Sequence, residues 1–274
     1  MAEAPGQLRI EDVAVVIPAL NEALRIREVV EGALAECPRV IVVDDGSDDG
    51  TSELIADLPM TVLRHPERMG KGASLRDGFA EALRQGAKAV ATMDGDGQHS
   101  AVDIPRMVES ANRHPGCVVV AARLRKRSCQ PWYRRLGNDF GDWGIGWACG
   151  FRLVDTQSGQ RLYPAAACAM EGVPGEGFVF EAQMLISAAR RLGLGVVALP
   201  VDTRYASADV AMRKSHFRLW KDLRLITTHV VLQVIRHGNV IREYRRTRAT
   251  RPVIDDPTGE FSGGAARRLP THSG

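Results

Sequence analysis

The acidic stretch Asp94-Gly95-Asp96-Gly97-Gln98-His99 directly follows a largely apolar run, residues 87–93. Such a run is typical of a strand buried in a parallel sheet, and open α/β sheets bind ligands at the carboxyl ends of their strands. The glycines permit a turn that brings both carboxylates onto one cation. Carboxylate and amide oxygens suit Mg²⁺ or Mn²⁺, which commonly bridge to phosphates. An Asp/Gly turn without a metal is the alternative interpretation.

The segments around this acidic stretch alternate between apolar runs and amphipathic stretches. Strands are predicted at residues 13–17, 40–43, 60–63, 87–93, 117–122 and 196–201. Helix-spaced apolar residues separate most of them: one helix opens at Asn21 and Glu22, and another covers residues 178–192. Residues 154–163 are predicted to form a loop. The alternation, with a period of about 25 residues, indicates an α/β fold with a mostly parallel sheet and helices on both faces.

The composition of the 274-residue chain is that of a globular protein, with 45% hydrophobic and 25% charged residues. Its five cysteines are scattered and form no CxxC pair, which favours reduced thiols over a zinc site or a disulfide framework. The sequence contains no signal-peptide pattern at its start and no apolar run of about 18 residues that could span a membrane. We therefore expect a cytoplasmic protein.

Positive charge is concentrated in the C-terminal quarter of the chain. Residues 204–251 contain 12 Lys or Arg and 3 Asp or Glu, a net charge of +9 in a chain whose total is +3. This excess predicts a polyanionic partner: phosphates, an anionic membrane face or nucleic acid. Within it, residues 217–236 predict an amphipathic helix that lies in a membrane interface or packs on protein. From about residue 251 the composition predicts a disordered tail.

Four stretches, in this order, resemble glycosyltransferase family 2 and, within it, the dolichyl- and polyprenyl-phosphate sugar synthases. They are VVIPALNE (15–22), VVDDGS (42–47), GKGA (70–73) and DGDGQH (94–99). The segment DTQSGQR (155–161) is similar to the polyprenyl-specific loop of that subgroup, and Phe180-Glu181 to the helix that follows it. The resemblance implies a GT-A fold over residues 10–216, followed by an amphipathic and basic helical extension (217–250) and the tail (251–274).

The resemblance also implies a donor site and a metal site. The residues implied to hold the nucleotide sugar are Pro18, Leu20, Glu22, Asp44, Asp45, Lys71, Asp94, Gly95, Arg123, Arg204 and Arg213. Asp96, Gln98 and Asp94 would hold Mg²⁺ or Mn²⁺, which neutralises charge on the leaving nucleoside diphosphate. A turn capped by side chains is the alternative interpretation of Asp44 and Asp45, and a solvated lysine that of Lys71.

The implied reaction is attack on the anomeric carbon with inversion, with Asp96 as a catalytic residue. Arg134, Arg135 and Ser158 would contact an acceptor phosphate, whose oxygens match the guanidinium fork. A phosphate nucleophile is anionic at neutral pH and needs no strong base, whereas a hydroxyl acceptor needs one. The candidate bases are Asp155 and Glu181, and either is alternatively a structural partner of an arginine.

The sequence therefore predicts a metal-dependent, inverting glycosyltransferase at the cytoplasmic membrane face. Its donor would be a UDP- or GDP-linked sugar and its acceptor a polyprenyl phosphate. One alternative is the same chemistry on a hydroxyl of a lipid, pigment or polysaccharide; another is a catalytically silent module that binds membranes or nucleic acid. Arg68 stands where the family usually has asparagine, and Leu20 where an aromatic residue is frequent. These departures leave the base and the sugar of the donor open.

Overall fold

The computed structural model of the chain describes residues 6–124, 132–175, 177–202, 240–256 and 259. The strands are β1 Val13–Ala19, β2 Val40–Asp44, β3 Thr61–Arg64, β4 Ala89–Thr92, β5 Cys117–Ala122, β6 Arg161–Pro164, β7 Gly195–Pro200 and β8 Val253–Ile254. The helices are α1 Ile26–Glu36, α2 Lys71–Arg84, α3 Asp103–Arg113, α4 Trp132–Cys149, α5 Ala165–Cys168, α6 Gly177–Arg191 and α7 Val240–Ala249. Short 3-10 helices cover Ile10–Asp12 and Glu53–Ile55.

All described strands belong to one sheet, in the order β3-β2-β1-β4-β6-β5-β7-β8. Neighbouring strands run parallel except at β6, which is antiparallel to both β4 and β5. The predicted α/β class with a mostly parallel sheet is therefore confirmed. Because β6 runs the opposite way, its first residue, Arg161, lies opposite Thr92 near the carboxyl end of β4.

The apolar residues of β1 show why helices cover both faces of the sheet. Successive side chains of a strand point to opposite faces. Val13, Val15 and Ile17 pack in the core beneath α1 and α3, whereas Ala14 and Val16 pack in the core beneath α2, α4 and α6. All five are fully buried, so the strand carries a continuous apolar run instead of an alternating one.

Two predicted boundaries in the first two thirds of the chain are wrong. Residues 154–163 were expected to be a loop, but Arg161–Pro164 form β6. The strand carries a buried arginine, so it lacks the apolar run that marks the other strands. The first helix begins at Ile26 and not at Asn21 and Glu22, because Asn21 has a φ of 56°, which a right-handed helix does not allow.

The predicted tail is also wrong for residues 251–256. β8 pairs in parallel with β7, and the buried Asp255 accepts a 2.7 Å hydrogen bond from Arg113 Nη2 on α3. The sequence did not predict this strand, because β8 has only two residues and the segment around it is polar. The predicted amphipathic helix at 217–236 and most of the predicted tail lie outside the described residues.

Helix α2 comes closest to the sheet at Gly78. A Cβ built on Gly78 would overlap Val16 Cγ1 and lie 3.2 Å from Val16 Cγ2. Val16 is fully buried on the central strand β1, so it has little room to move. A glycine at this position therefore sets the distance between α2, which begins at Lys71, and the sheet.

We expect Gly78→Ala to lower the free energy of unfolding by about 1–3 kcal/mol, because the added methyl group overpacks the contact with Val16. Gly32→Ala on α1 is the matched control: its Cβ would lie 3.8 Å from Ala101 Cβ, an ordinary contact. The control should be neutral or stabilising by up to about 1 kcal/mol, as expected from helix propensity. Urea unfolding of both variants tests this, and equal stabilities would contradict it.

Candidate active site

The sequence motifs converge at one edge of the sheet. The carboxyl ends of β1, β2, β4 and β5 lie at this edge, as does the amino end of the antiparallel β6. The segments that leave these ends carry most of the predicted site residues. This is the edge at which open α/β sheets bind ligands, so the topology supports the predicted location of the site.

The segments that follow β1 and β2 are hydrogen-bonded to each other. Asn21, in the left-handed region, donates its backbone N–H to Ser47 Oγ at 3.0 Å, and its side-chain oxygen accepts from Asp48 N at 3.1 Å. Glu22 N donates to Thr51 Oγ1 at 2.9 Å. These contacts fix the predicted donor residues Pro18, Leu20 and Glu22 beside the turn that follows Asp44 and Asp45.

Both aspartates at the end of β2 have partners within the protein. Asp44 is fully buried; it accepts hydrogen bonds from Ser47 N at 2.8 Å and from Ser52 Oγ, and lies 3.7 Å from Arg64 Nε. The contact with Ser47 N is the side-chain-capped turn that was the alternative interpretation of this residue. The contact with a nucleoside stays a prediction.

Asp45 is held by a histidine that the sequence reasoning missed. His65 Nδ1 lies 2.8 Å from Asp45 Oδ1, and His65 Nε2 lies 2.9 Å from Asp77 Oδ2. Since both partners are carboxylates, both ring nitrogens donate only when the imidazole is protonated. Burial lowers the pKa of His65, and the hydrogen bonds to Asp45 and Asp77 raise it by more, so it lies above its usual value. Asp45 also accepts from the backbone N–H groups of Met69 and Gly70.

A half-buried ion-pair triad joins three elements of the site. Lys71 Nζ, at the start of α2, lies 2.6 Å from Asp94 Oδ1 and 3.1 Å from Glu181 Oε2 on α6. Burial lowers the pKa of Lys71, and the two carboxylates raise it by more, so it stays charged. The interpretation of Lys71 as a solvated lysine is therefore wrong.

The carboxylate of Asp94 is also confined by Gly159, from the loop before β6. A Cβ on Gly159 would overlap Asp94 Oδ2 and lie 2.9 Å from Asp94 Cγ, so only glycine leaves room for the aspartate. His99 Nε2 approaches Asp94 Oδ2 at 3.4 Å. Burial raises the pKa of Asp94, but Lys71 and His99 lower it by more, so this carboxylate is ionised.

The donor set for a cation is made of oxygen atoms. Asp96 Oδ1 accepts from the backbone N–H of Gln98 at 3.0 Å, and burial together with the neighbouring Asp94 carboxylate raises the pKa of Asp96. A cation would relieve this repulsion, so the residues fit a hard divalent ion. Among the described residues, no three His, Cys, Asp or Glu side chains form a metal cluster. An ion here would therefore need the Gln98 amide and oxygens from substrate or water.

Asp155, a candidate base, is bound to Arg123. Arg123 donates to it from N at 2.6 Å, from Nε at 2.9 Å and from Nη2 at 2.6 Å, engaging both carboxylate oxygens. Asp155 has a φ of 49° and is kept there by Asp142 on α4, whose carboxylate accepts from Asp155 N and Thr156 N at 2.8 and 2.7 Å. The structure thus shows Asp155 as the partner of an arginine.

The loop that contains Ser158 is held from beneath by Arg161. Arg161 is buried and donates to the carbonyl oxygens of Ser158, Thr156 and Glu181 at 2.8, 2.6 and 2.7 Å. Ser158 is fully buried, and its Oγ has no hydrogen-bond partner in the described structure. Its contact with an acceptor stays a prediction. The side chains of Arg134 and Arg135, and all of Arg204 and Arg213, lie outside the described residues.

The sequence reasoning missed the residues that hold the predicted ones in place. They are His65, Asp77, Asp142 and Gly159. A lone histidine or aspartate between apolar segments carries no signal of its partner, since each contact joins residues at least 12 positions apart. Only Gly159 could have been found, because it lies inside the DTQSGQR segment.

The family model described as glycosyl transferase family 2 matches residues 14–167. This span includes the four motifs at the carboxyl edge of the sheet and the loop that packs against Asp94. The chain belongs to glycosyltransferase family 2. The predicted family and the predicted class of enzyme, a glycosyltransferase, are therefore confirmed.

Relatives of this family 2 glycosyltransferase include two enzymes named for lipid-phosphate acceptors. It is 25% identical over 213 residues to the polyprenol monophosphomannose synthase of Mycolicibacterium smegmatis, covering 73% of this chain and 80% of the relative. It is 26% identical over 223 residues to the UDP-N-acetylglucosamine–dolichyl-phosphate N-acetylglucosaminyltransferase of Methanococcus voltae, covering 72% of this chain and 87% of the relative.

The fold of this glycosyltransferase is also that of a solved enzyme. Glucosyl-3-phosphoglycerate synthase from Mycobacterium tuberculosis, in complex with Mn²⁺, UDP and glucosyl-3-phosphoglycerate, superposes with a TM-score of 0.58 at 20% identity. The match covers 86% of each chain. At this identity the likeness shows a common fold and nothing about the substrate.

We expect the stabilising effect of His65 to depend on pH. Because its folded-state pKa lies above the unfolded value, its contribution is fully present below about pH 6.5 and is lost as the pH rises through the folded pKa. His65→Asn should therefore lower the free energy of unfolding by about 1–3 kcal/mol near pH 6 and by less near pH 9. Asp77→Asn, which removes one of the two carboxylates, should give a smaller pH dependence than wild type. Urea unfolding at both pH values tests this; a pH-independent loss would contradict it.

Proposed function

We propose that this glycosyltransferase moves a sugar from a nucleoside-diphosphate sugar to the phosphate of a polyprenyl phosphate. One observation carries the proposal: both candidate bases are already paired with cations. Both oxygens of Asp155 receive hydrogen bonds from Arg123, and Glu181 lies 3.1 Å from Lys71 Nζ. A general base must present a carboxylate oxygen to the hydroxyl that it deprotonates, whereas these oxygens are engaged by cations of the protein itself. An acceptor that is already anionic needs no base, so this pairing suits a phosphate nucleophile better than a hydroxyl.

The names of the relatives support the same acceptor class. One relative is a polyprenol monophosphomannose synthase and the other a dolichyl-phosphate N-acetylglucosaminyltransferase. The loop DTQSGQR, which resembles the polyprenyl-specific loop, packs through Gly159 directly on Asp94. Acceptor loop and donor carboxylate are therefore in contact, as a direct transfer between the two substrates requires.

The donor would lie along the carboxyl edge of the sheet. In this proposal Pro18, Leu20, Glu22, Asp44, Asp45 and Gly95 surround the nucleoside, and Lys71, Arg123, Arg204 and Arg213 meet the diphosphate or sugar. Asp96, Gln98 and Asp94 would hold Mg²⁺ or Mn²⁺, and the bound ion neutralises charge on the leaving nucleoside diphosphate. Lys71 and Gly159 orient the Asp94 carboxylate for this role.

We propose that the enzyme works at a membrane surface, where its acceptor resides, and on the cytoplasmic side, where nucleotide sugars are made. No helix in the described ranges is long and apolar enough to cross a membrane. We also propose that the catalytic domain, residues 10–216, is completed by α7 and β8, which follow that boundary and pack on α4 and β7.

We expect nucleoside diphosphate release from UDP- or GDP-sugars to depend on undecaprenyl phosphate, with Mg²⁺ or Mn²⁺ present. Undecaprenol, which lacks the phosphate, is the matched control and should support no release. A panel of donors measured this way also identifies the base and the sugar. Two results would overturn the proposed acceptor: nucleoside diphosphate release that requires a hydroxyl acceptor, or no release with any lipid phosphate.

We expect Asp96→Asn to lower the rate constant of transfer by about 10²–10³-fold, because the substitution removes a charged ligand of the ion. The side chain keeps its shape, so the unfolding midpoint should change little. Asp57→Asn is the control, since Asp57 pairs with Arg27 on the surface. Full metal-dependent activity of the Asp96→Asn enzyme would show that Asp96 does not bind the ion.

A further inference from the structure

A row of aromatic side chains runs along the outer face of α4 and onto α7. Phe140, Trp143 and Trp147 follow the three- and four-residue spacing of one helix face. The ring centroids are 5.6 Å apart between Phe140 and Trp143, 5.2 Å between Trp143 and Trp147, and 6.1 Å between Trp147 and Tyr244. We call these four residues the aromatic row.

The aromatic row is unusual for its exposure. Phe140 is 42% exposed, Trp143 45% and Tyr244 38%. Within the described residues, every strongly exposed aromatic side chain belongs to this row, and the other exposed large hydrophobic side chains are aliphatic. Ile241, on the same outer side of α7, is 62% exposed. A contiguous exposed aromatic surface of this kind marks an interaction site.

Unpaired positive charge surrounds the aromatic row. Arg245, Arg246 and Arg248 on α7 and Arg152 before β6 are exposed, and in the part of the chain that the structure describes none of them has an acidic partner. Arg152 and Arg248 line a cavity of about 320 Å³ together with Trp143 and Tyr244. Asp139 and Asp142 also line it, but the Asp142 carboxylate is used by the backbone of Asp155 and Thr156.

The inner face of α7 explains why its arginines point outward. Glu243 is buried and accepts a 2.9 Å hydrogen bond from Arg190 Nη2 on α6, and the buried Thr247 donates to Glu243 O at 2.9 Å. The polar side chains of the inner face therefore have hydrogen-bond partners, and one of these bonds anchors α7 to α6. The outer face has the opposite character, with exposed arginines between exposed apolar side chains.

We propose that the aromatic row and its surrounding arginines dock the protein on the surface of an anionic lipid bilayer. Trp and Tyr rings favour the interface between headgroups and acyl chains, and arginines beside them are attracted to anionic headgroups. A second copy of the chain fits this surface less well, because a symmetric contact would bring the arginines of both copies together. The inference rests on the proposed action at a membrane surface and adds which face of the protein meets that membrane.

The docking surface and the acceptor loop share helix α4. Asp142, which accepts from the backbone of Asp155 and Thr156, directly precedes Trp143 in the chain. Arg152 N also donates to Thr250 Oγ1 at 2.8 Å, which connects the segment entering that loop with the end of α7. A bilayer bound to this face would thus touch the elements that hold the loop.

Sedimentation of the full-length protein with lipid vesicles tests the proposal. We expect binding to phosphatidylcholine vesicles that contain phosphatidylglycerol, weakened by salt, and little binding to phosphatidylcholine alone. The double variant Phe140→Ser/Trp143→Ser should weaken binding by about tenfold or more. Leu54→Ser is its control, because Leu54 is 43% exposed and lies outside the row.

A charge reversal gives a second, independent measurement. Arg248→Glu should weaken binding to the anionic vesicles more than Arg9→Glu, which makes the same change of charge at an exposed position near the start of β1. All these positions are exposed, so the unfolding midpoints should match wild type. Wild-type vesicle binding by both the double variant and Arg248→Glu would overturn the proposal.

Two further outcomes would also overturn the proposal. One is a wild-type dimer that the double variant converts to a monomer while vesicle binding stays the same. The other is a double variant that loses binding to a single-stranded oligonucleotide but keeps wild-type binding to vesicles.

Transfer to geranyl phosphate in solution separates this proposal from the proposed function. The double variant should retain wild-type transfer there, and absence of transfer by wild type would count against the acceptor and not against vesicle binding.

Discussion

The candidate site depends on one half-buried ammonium group. Lys71 lies between Asp94 and Glu181, so a single positive charge holds two carboxylates close together. The triad joins the start of α2, the acidic stretch after β4 and helix α6, three elements that are far apart in the chain. Removing Lys71 would leave two neighbouring carboxylates without the cation that holds them together. The position of the Asp94 carboxylate therefore follows from an ion pair that a donor need not create.

The other polar residues of the site are held in the same way. Asp155 is bound to Arg123 and anchored by Asp142, and Asp45 is held by His65. These contacts tie each loop at the sheet edge to a neighbouring loop or helix. Such a network limits the reorganisation needed when substrates bind, which is where preorganised electrostatics contributes to catalysis. It also engages the carboxylates of both candidate bases with cations of the protein, which supports the proposed anionic acceptor.

The fold alone does not choose the acceptor, because one architecture carries many substrates on loops of different sequence. In this protein the candidate elements for that choice are the loop before β6 and the outer face of α4 and α7. The first packs on Asp94; the second exposes aromatic rings and arginines without an acidic partner. Both are connected to α4, so the chemistry of transfer and the surface proposed for docking rest on one helix.

The sequence by itself determined the class of fold, the family and the edge of the sheet at which the site lies. Those features depend on local patterns: apolar runs, glycine-rich turns and motifs read in order along the chain. Local patterns did not predict β6, because its buried Arg161 interrupts the apolar run expected of a strand. They did not predict β8 either, because two residues are too few to show a periodicity. Only the tertiary structure decided that Asp155 belongs to Arg123 and Lys71 to Asp94 and Glu181. The physical reason is that a buried charge takes its partner from whichever segment the fold brings within a few ångströms, and separation along the chain carries no record of that distance.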